Sequence, residues 1–202
     1  MTLWRGKDPL ILASQSRARQ TLLANAGIEF EAVPAEIDER AVQQASGLSA
    51  PDEIATLLAR EKSLFVAARR SGRYVLGADQ TFALGTQLFS KPAGRAQAAE
   101  QLRALTGRHH ELYSAVAVAR DGKILFEEVA IARMTMRRLD EAEIDAYLDE
   151  AGAAVASSVG AYQLEGLGVH LFERIEGDHF TILGLPLLPL LAFFRRERLL
   201  GV

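Results

Sequence analysis

The chain has 202 residues, 49% of them apolar and 24% charged, ordinary globular values that exclude disorder as its main state and allow a core without staples. A formal net charge of −3 gives no basic excess, so nucleic acid is not the expected partner, and a polyanionic substrate would need a few placed cations. The lack of cysteine excludes disulfides and thiolate metal sites and agrees with a reducing compartment.

The most apolar tract, from Ile182 to Phe194, is interrupted by Gly184, Pro186 and Pro189. It is too short and too broken to cross a bilayer, and the N-terminus has no long apolar signal region. The expectation is a cytoplasmic protein with no membrane partner, built as a single domain over residues 1–202 or as two tightly joined lobes.

In chain order, Pro9 to Ser14 reads as a buried strand and Ser16 to Ala26 as a helix stopped by Gly27. Between them lies Leu-Ala-Ser-Gln-Ser-Arg-Ala-Arg, in which a strand ends and a helix begins. Free N–H groups, the positive end of the helix dipole, Ser14, Ser16 and an arginine fork all suit an anion there. The competing reading makes Ser16 a helix cap and the arginines solvated.

Glu29 to Val33 alternates like a strand. The Asp38-Glu39 pair after it offers oxygen ligands to a hard cation, or else forms an exposed acidic turn. Ser49 and Pro51 open a long helix with Ile54, Leu57, Leu58, Glu61 and Phe65 at helical spacing. Lys62 on that helix either points toward a site or snorkels beside the core.

Val75 to Leu84 is strand-like, with Asp79 inside an apolar run. A buried carboxylate needs a cation, a metal or several donors, so Asp79 is either a metal ligand or general base, or a carboxylate satisfied by backbone N–H groups. Lys91 stands before Pro92, which biases its backbone to extended geometry. A fixed lysine could hold a phosphate there, although solvated lysines are the common case.

Gly94 to Leu105 reads as a helix and Leu112 to Ala119 as a strand. Asp121-Gly122 signals a hairpin into Lys123 to Met136. Asp140 with Glu143 resembles a capping box for a helix reaching about Glu150. The glycine-rich stretch 160–168, with Gln163 and Glu165, reads as turns or as a loop lining a base pocket. The histidines show no ligand spacing and read as surface or structural residues. The C-terminal helix starts near Pro186. Alternating strands and helices with both hairpin and helical connections predict an α/β (α+β) architecture, a long twisted mixed sheet with helices on both sides.

Taken in order, LASQSRARQTLL, IDER, AREK, GADQ, SKP, GAYQLEG and LGLPL resemble the motifs of the Maf family of nucleotide pyrophosphatases. The resemblance runs from about Leu10 to Phe194. It implies an inosine triphosphate pyrophosphatase-like fold with two lobes around a nucleotide cleft, a divalent cation (Mg²⁺ or Mn²⁺), a nucleoside triphosphate substrate and a homodimer. Some members are linked to inhibition of septum formation.

Carried over by position, the resemblance makes Ser14, Arg19 and Lys62 phosphate-binding and Lys91 a second lysine of the site. It makes Glu39 and Asp79 the metal-holding acids, with Asp79 also the proton acceptor. Three positions depart from the commoner pattern. Ala18 follows the family's proline position, which is Arg17 here; Gln80 stands for a threonine and Glu165 for a glutamine. The last two changes resemble the 7-methyl-GTP pyrophosphatase branch, and Ala18, Gln80 and Glu165 are the expected specificity residues. The expected reaction is water attack on the α-phosphorus with pyrophosphate leaving. The rival is a nucleotide-binding regulator of cell division without significant catalysis.

Overall fold

The computed structural model describes residues 3–156 and 158–201. In chain order the elements are β1 (Leu10–Leu12), α1 (Arg17–Asn25), β2 (Phe30–Ala32), α2 (Glu39–Ser46), α3 (Pro51–Ala67), β3 (Val75–Leu84) and β4 (Gln87–Phe89). Then come α4 (Arg95–Leu105), β5 (His109–Arg120), β6 (Lys123–Met136) and α5 (Glu141–Ala151). Three 3₁₀ turns, β7 (Phe172–Glu176), α6 (His179–Ile182) and α7 (Leu187–Arg196) complete the chain. Among the described residues no helix is long and apolar enough to cross a membrane.

The strand order is β2-β1-β3-β5-β6-β7, with β4 paired to β3. β1 is parallel to β2 and β3, whereas β4 is antiparallel to β3 and β7 to β6. The sheet is therefore mixed, as the alternation of hairpins and helices predicts. Asp121 and Gly122 join β5 to β6 at φ 50° and 75°, the pair of positive values that a type I′ hairpin turn requires.

The chain forms two compact units. The first comprises Met1–Gln80, Tyr113–Ala130 and His179–Val202. Its strands β1, β3 and β5 are buried on both faces there, which explains their nearly unbroken apolar sequences. Side chains alternate along a strand, and here the alternation separates two cores. Leu10, Leu12, Leu76, Ala78, Val116 and Val118 pack with Leu22 and Leu23 of α1 and with Leu187, Leu190, Phe193 and Phe194 of α7. The intervening Ile11, Ala13, Val75 and Ala119 pack with Val66 and Ala67 of α3. Ala115 and Ala117 meet Ala55 and Ala59 of the same helix.

The α3 face of the sheet is thus lined by small residues, and Gly77 is the extreme case. A Cβ there would lie 2.1 Å from the Ala59 carbonyl oxygen and 2.7 Å from the Ser63 nitrogen. Only glycine permits so close an approach.

The second unit comprises Thr81–Leu112 and Ile131–Asp178. Its helix α5 opens with the anticipated capping box: the Glu143 N–H donates to Asp140 Oδ1, and the Asp140 N–H to Glu143 Oε2, both at 2.9 Å. An aromatic cluster lies within it. His110 stacks on Phe82 with centroids 4.4 Å apart, and Tyr162 meets Phe172 edge-on at 4.7 Å.

Four elements depart from the sequence reading. Helix α2 begins at Glu39, where an acidic turn was the alternative; it is 8 residues long and has no buried residue. β4 and β7 are strands of 3 and 5 residues, and α3 is capped at Ala50, without a side-chain bond, rather than at Ser49.

Candidate active site

Seven of the expected site residues, Ser14, Ala18, Arg19, Glu39, Lys62, Asp79 and Gln80, belong to the first unit, and the placement of Asp79 and Lys62 follows from the alternation just described. Ala78 lies in the α1–α7 core, so Asp79 beside it projects toward α3. Lys62 is on the buried face of α3 with Ala55, Ala59, Ser63 and Val66, and Gly77 lets that face come close. Lys62 Nζ donates to Asp79 Oδ1 at 2.6 Å. It also pairs with Glu39 Oε1 at 2.7 Å, reached from the first turn of α2. Lys62 and Asp79 are each 8% exposed, whereas the Glu39 side chain is about half exposed.

Burying two charges costs more than most pairs return, so such a pair is weak evidence of stability and stronger evidence of use. The alternative for Asp79, a carboxylate held by backbone N–H groups, is not the arrangement here. Its partner is an ammonium.

Arg19, on the first turn of α1, is the second cation. Its Nε–H donates to the Gly184 carbonyl at 2.8 Å, and Nη1 donates to the Ala78 carbonyl at 2.9 Å and Ser14 Oγ at 3.2 Å. These bonds use three of the five guanidinium N–H groups and leave those on Nη2 for an anion. Burial lowers the Arg19 pKa, against the opposing fields of Asp79 and Glu39, yet a guanidinium stays charged at any working pH.

Ser14 is buried. Its Oγ accepts from both Arg19 and the Ser16 N–H, so its own proton is available to donate outward. Ser16 is the cap of α1, accepting from the Arg19 N–H at 3.4 Å. The cap reading of Ser16 therefore holds, and the solvated reading of Arg19 does not.

Gln80 spends its amide within the protein. Nε2 lies 2.8 Å from Ser114 Oγ, 3.1 Å from the Ile182 carbonyl and 3.2 Å from the Thr181 carbonyl. Ser114 Oγ in turn donates to the Thr181 carbonyl at 2.7 Å. Gln80 thus ties β3 to β5 and to the end of α6, the segment that presents Gly184. Ala18 is half-buried on α1.

Lys91 and Glu165 belong to the second unit, and both are exposed. Among the described residues neither side chain makes a hydrogen bond or an ion pair. The segments that carry them share one anchor, Gln101 of α4, itself 7% exposed. Its Nε2 donates to the Ser90 carbonyl at 2.8 Å, and its Oε1 accepts the Gly160 N–H at 3.1 Å. A glutamine inside an alanine-rich helix gives no sign of this in sequence. The carbonyls of Ala78 and Gly184 were equally silent, because backbone acceptors have no residue signature.

Asp79 Oδ1 and Glu39 Oε1 converge on one ammonium, so two hard oxygen donors already point at a common place. That is the donor chemistry Mg²⁺ or Mn²⁺ takes beside substrate phosphates. Among the described residues no group of three or more His, Cys, Asp or Glu forms a closed metal cage. The side chains therefore fit a cation that shares its ligands with a substrate.

A family model described as Maf-like protein matches residues 9–197. The chain is 70% identical over 202 residues to a nucleoside triphosphate pyrophosphatase of Bradyrhizobium diazoefficiens, covering 100% of both chains. It is 68% identical to one of Rhodopseudomonas palustris, again over 100% of both. Identity is 53% over 191 residues with a 7-methyl-GTP pyrophosphatase of Mesorhizobium japonicum, covering 93% of this chain and 96% of that one. Among solved structures, a HAM1 protein from Coxiella burnetii covers 65% of this chain and 74% of its own at 15% identity and a TM-score of 0.42, a likeness too slight to build on. The match along almost the whole length, together with the relatives that share it, shows that the chain belongs to the Maf family.

Proposed function

We propose that the protein is a hydrolase that converts a nucleoside triphosphate to the monophosphate and pyrophosphate. The observation that carries this reading is the buried Lys62–Asp79 pair with Glu39 on the same ammonium, beside Ser14 and the tethered Arg19. The names of the Bradyrhizobium and Rhodopseudomonas relatives support the same reaction.

Asp79 accepts a proton from the attacking water. The water oxygen bonds to the α-phosphorus, the bond from that phosphorus to the bridging oxygen breaks, and pyrophosphate leaves with the electron pair. Arg19 Nη2, the Lys62 ammonium and the Ser14 hydroxyl hold the phosphate oxygens, and the family resemblance assigns Lys91 as a further cation for the charge that grows there. Glu39 and Asp79 would hold a divalent cation, which when bound supplies charge neutralisation on the phosphates. The working unit is a cytoplasmic homodimer.

The family resemblance assigns base choice to Ala18, Gln80 and Glu165. A carboxylate at 165 accepts from two N–H groups of a guanine edge, which suits guanine or 7-methylguanine better than uracil. The Mesorhizobium relative's name agrees with that preference. Replacing Glu165 by Gln and comparing 7-methyl-GTP with UTP tests it, and an unchanged preference removes Glu165 from base reading.

The test of the whole reading is pyrophosphate release with Mg²⁺ or Mn²⁺ across a nucleotide panel. Asp79→Asn is expected to lower kcat about 10²–10⁴-fold, the usual worth of a positioned base. Nucleotide binding without hydrolysis by the wild type on the full panel would instead establish a regulator without significant catalysis.

A further inference from the structure

We infer that Lys62 is the resident cation of the two-carboxylate seat, and that a divalent cation enters only as the triphosphate draws the ammonium away, so that metal and nucleotide bind cooperatively through Lys62. This rests on the proposed role of Glu39 and Asp79.

Lys62 and Arg19 balance Asp79 and Glu39, so the cluster is neutral before any ligand arrives. Lys62 Nζ sits 2.6 Å from one carboxylate and 2.7 Å from the other, where an incoming cation would seek its oxygens. A divalent ion added to this arrangement would meet two like charges in a partly desolvated site, a costly juxtaposition. A triphosphate added alone would bring several negative charges to a neutral cluster. Together the two ligands solve each other's problem, because phosphate oxygens give Lys62 a new partner and the carboxylates become free.

The two cations are built differently for this exchange. Arg19 is pinned by three hydrogen bonds to Gly184, Ala78 and Ser14, and a planar fork so held stays where it is. Among the described residues, the polar partners of Lys62 are only the two carboxylates. It ends a flexible four-carbon stem as a compact point charge. Arg19 is the fixed receptor for phosphate, and Lys62 is the exchangeable one. Coupling of this kind is reciprocal, so each ligand raises the other's affinity by the same factor.

Calorimetric titration of Mn²⁺ without nucleotide tests the inference in the wild type, Lys62→Gln and Lys62→Met. Both variants are expected to bind Mn²⁺ about tenfold or more tightly than the wild type. Lys62→Gln keeps donors for Asp79 and guards against a misfolded Lys62→Met. Mn²⁺ affinity that is equal or weaker in the folded variants overturns the inference. In the wild type, the ammonium signal of Lys62 in ¹⁵N-lysine NMR is expected to shift with Mg²⁺ plus an α,β-methylene triphosphate and to stay with Mg²⁺ alone; a full shift with Mg²⁺ alone also overturns it. If no protein binds Mn²⁺ even with the analogue present, the reading of Glu39 and Asp79 as metal-holding acids falls, and the inference falls with it.

Discussion

The two units bury polar groups by opposite means. In the first, Lys62 and Asp79 go under the surface as charges, each the other's partner, with Glu39 reaching in from a more exposed position. In the second, His110 is fully buried among Phe82, Tyr162 and Phe172, and its Nε2 shares a 2.7 Å hydrogen bond with the Tyr162 hydroxyl. Its Nδ1 finds no partner among the described residues. Burial, helped by the field of His109, pushes the imidazole down to about 3. Burial also raises the Tyr162 phenol well above its ordinary range. One cluster keeps its charges at a cost in desolvation, and the other sheds them. A charge retained against that cost belongs where chemistry needs it, whereas a neutral polar pair serves packing.

The sharpest break of this contrast is Gly77→Ala. A methyl 2.1 Å from the Ala59 carbonyl oxygen cannot be absorbed by a rotamer change, because the obstacle is backbone. Helix α3 must move away from β3, and the expected cost is about 3 kcal/mol, the upper end for overpacking. Lys62 moves with the helix, so activity should fall along with the denaturant midpoint. Aromatic near-ultraviolet signals from the second unit should persist in the folded fraction. A variant as stable and active as the wild type would mean that α3 is not held against β3 by this contact.

How far the sequence announced these clusters depends on what holds them. β3 and β6 match their expected spans to the residue, because long apolar or alternating runs between turn signals leave little choice. α1 was legible from Ser16, Leu22, Leu23 and Gly27. Asp79 stood out because a carboxylate in an apolar strand demands a partner. Lys62 did not identify itself, since the positions first read as the helical stripe included Leu57, Glu61 and Phe65, which are only half-buried. The stripe that faces the sheet is Ala55, Ala59, Lys62, Ser63 and Val66, small residues with low hydrophobic contrast, legible only once Gly77 and the alanines of β5 are seen opposite. The Gly184 and Ala78 carbonyls have no signature at all.

A second test addresses the neutral cluster. The imidazole pKa is lowered in the fold from its ordinary 6.5 to about 3, so between those values the unfolded chain binds more protons than the native one. Stability is therefore retained above pH 6.5 and lost as the pH falls toward 3. One such group contributes a slope of about 1.4 kcal/mol per pH unit inside the window. His110→Phe, which keeps an aromatic ring on Phe82, should be less stable at neutral pH, because the Tyr162 hydroxyl loses its partner at a cost of about 1–3 kcal/mol. Its denaturation midpoint should nevertheless fall less steeply with acid than that of the wild type. Parallel slopes would mean that His110 is not the neutral buried group described.

The smallest expected effect on stability separates the clamp on Arg19 from the packing around it. Gly184 has φ +85°, and a Cβ there would lie 3.4 Å from Arg19 Nε and Nη2. The contact is close to ordinary van der Waals distance, so the penalty of Gly184→Ala comes mainly from the left-handed backbone, about 1–2 kcal/mol for a residue with a Cβ. The same relaxation turns the 184 carbonyl, which fixes Arg19 Nε. A guanidinium released from one of its three anchors loses orientation before it loses charge. The expected signature is therefore a KM rise of roughly tenfold with kcat changed much less, a loss of binding shared by ground and transition states. If kcat and kcat/KM fall together instead, Arg19 acts on charge that develops only in the transition state, and the clamp belongs to the chemical step rather than to phosphate capture.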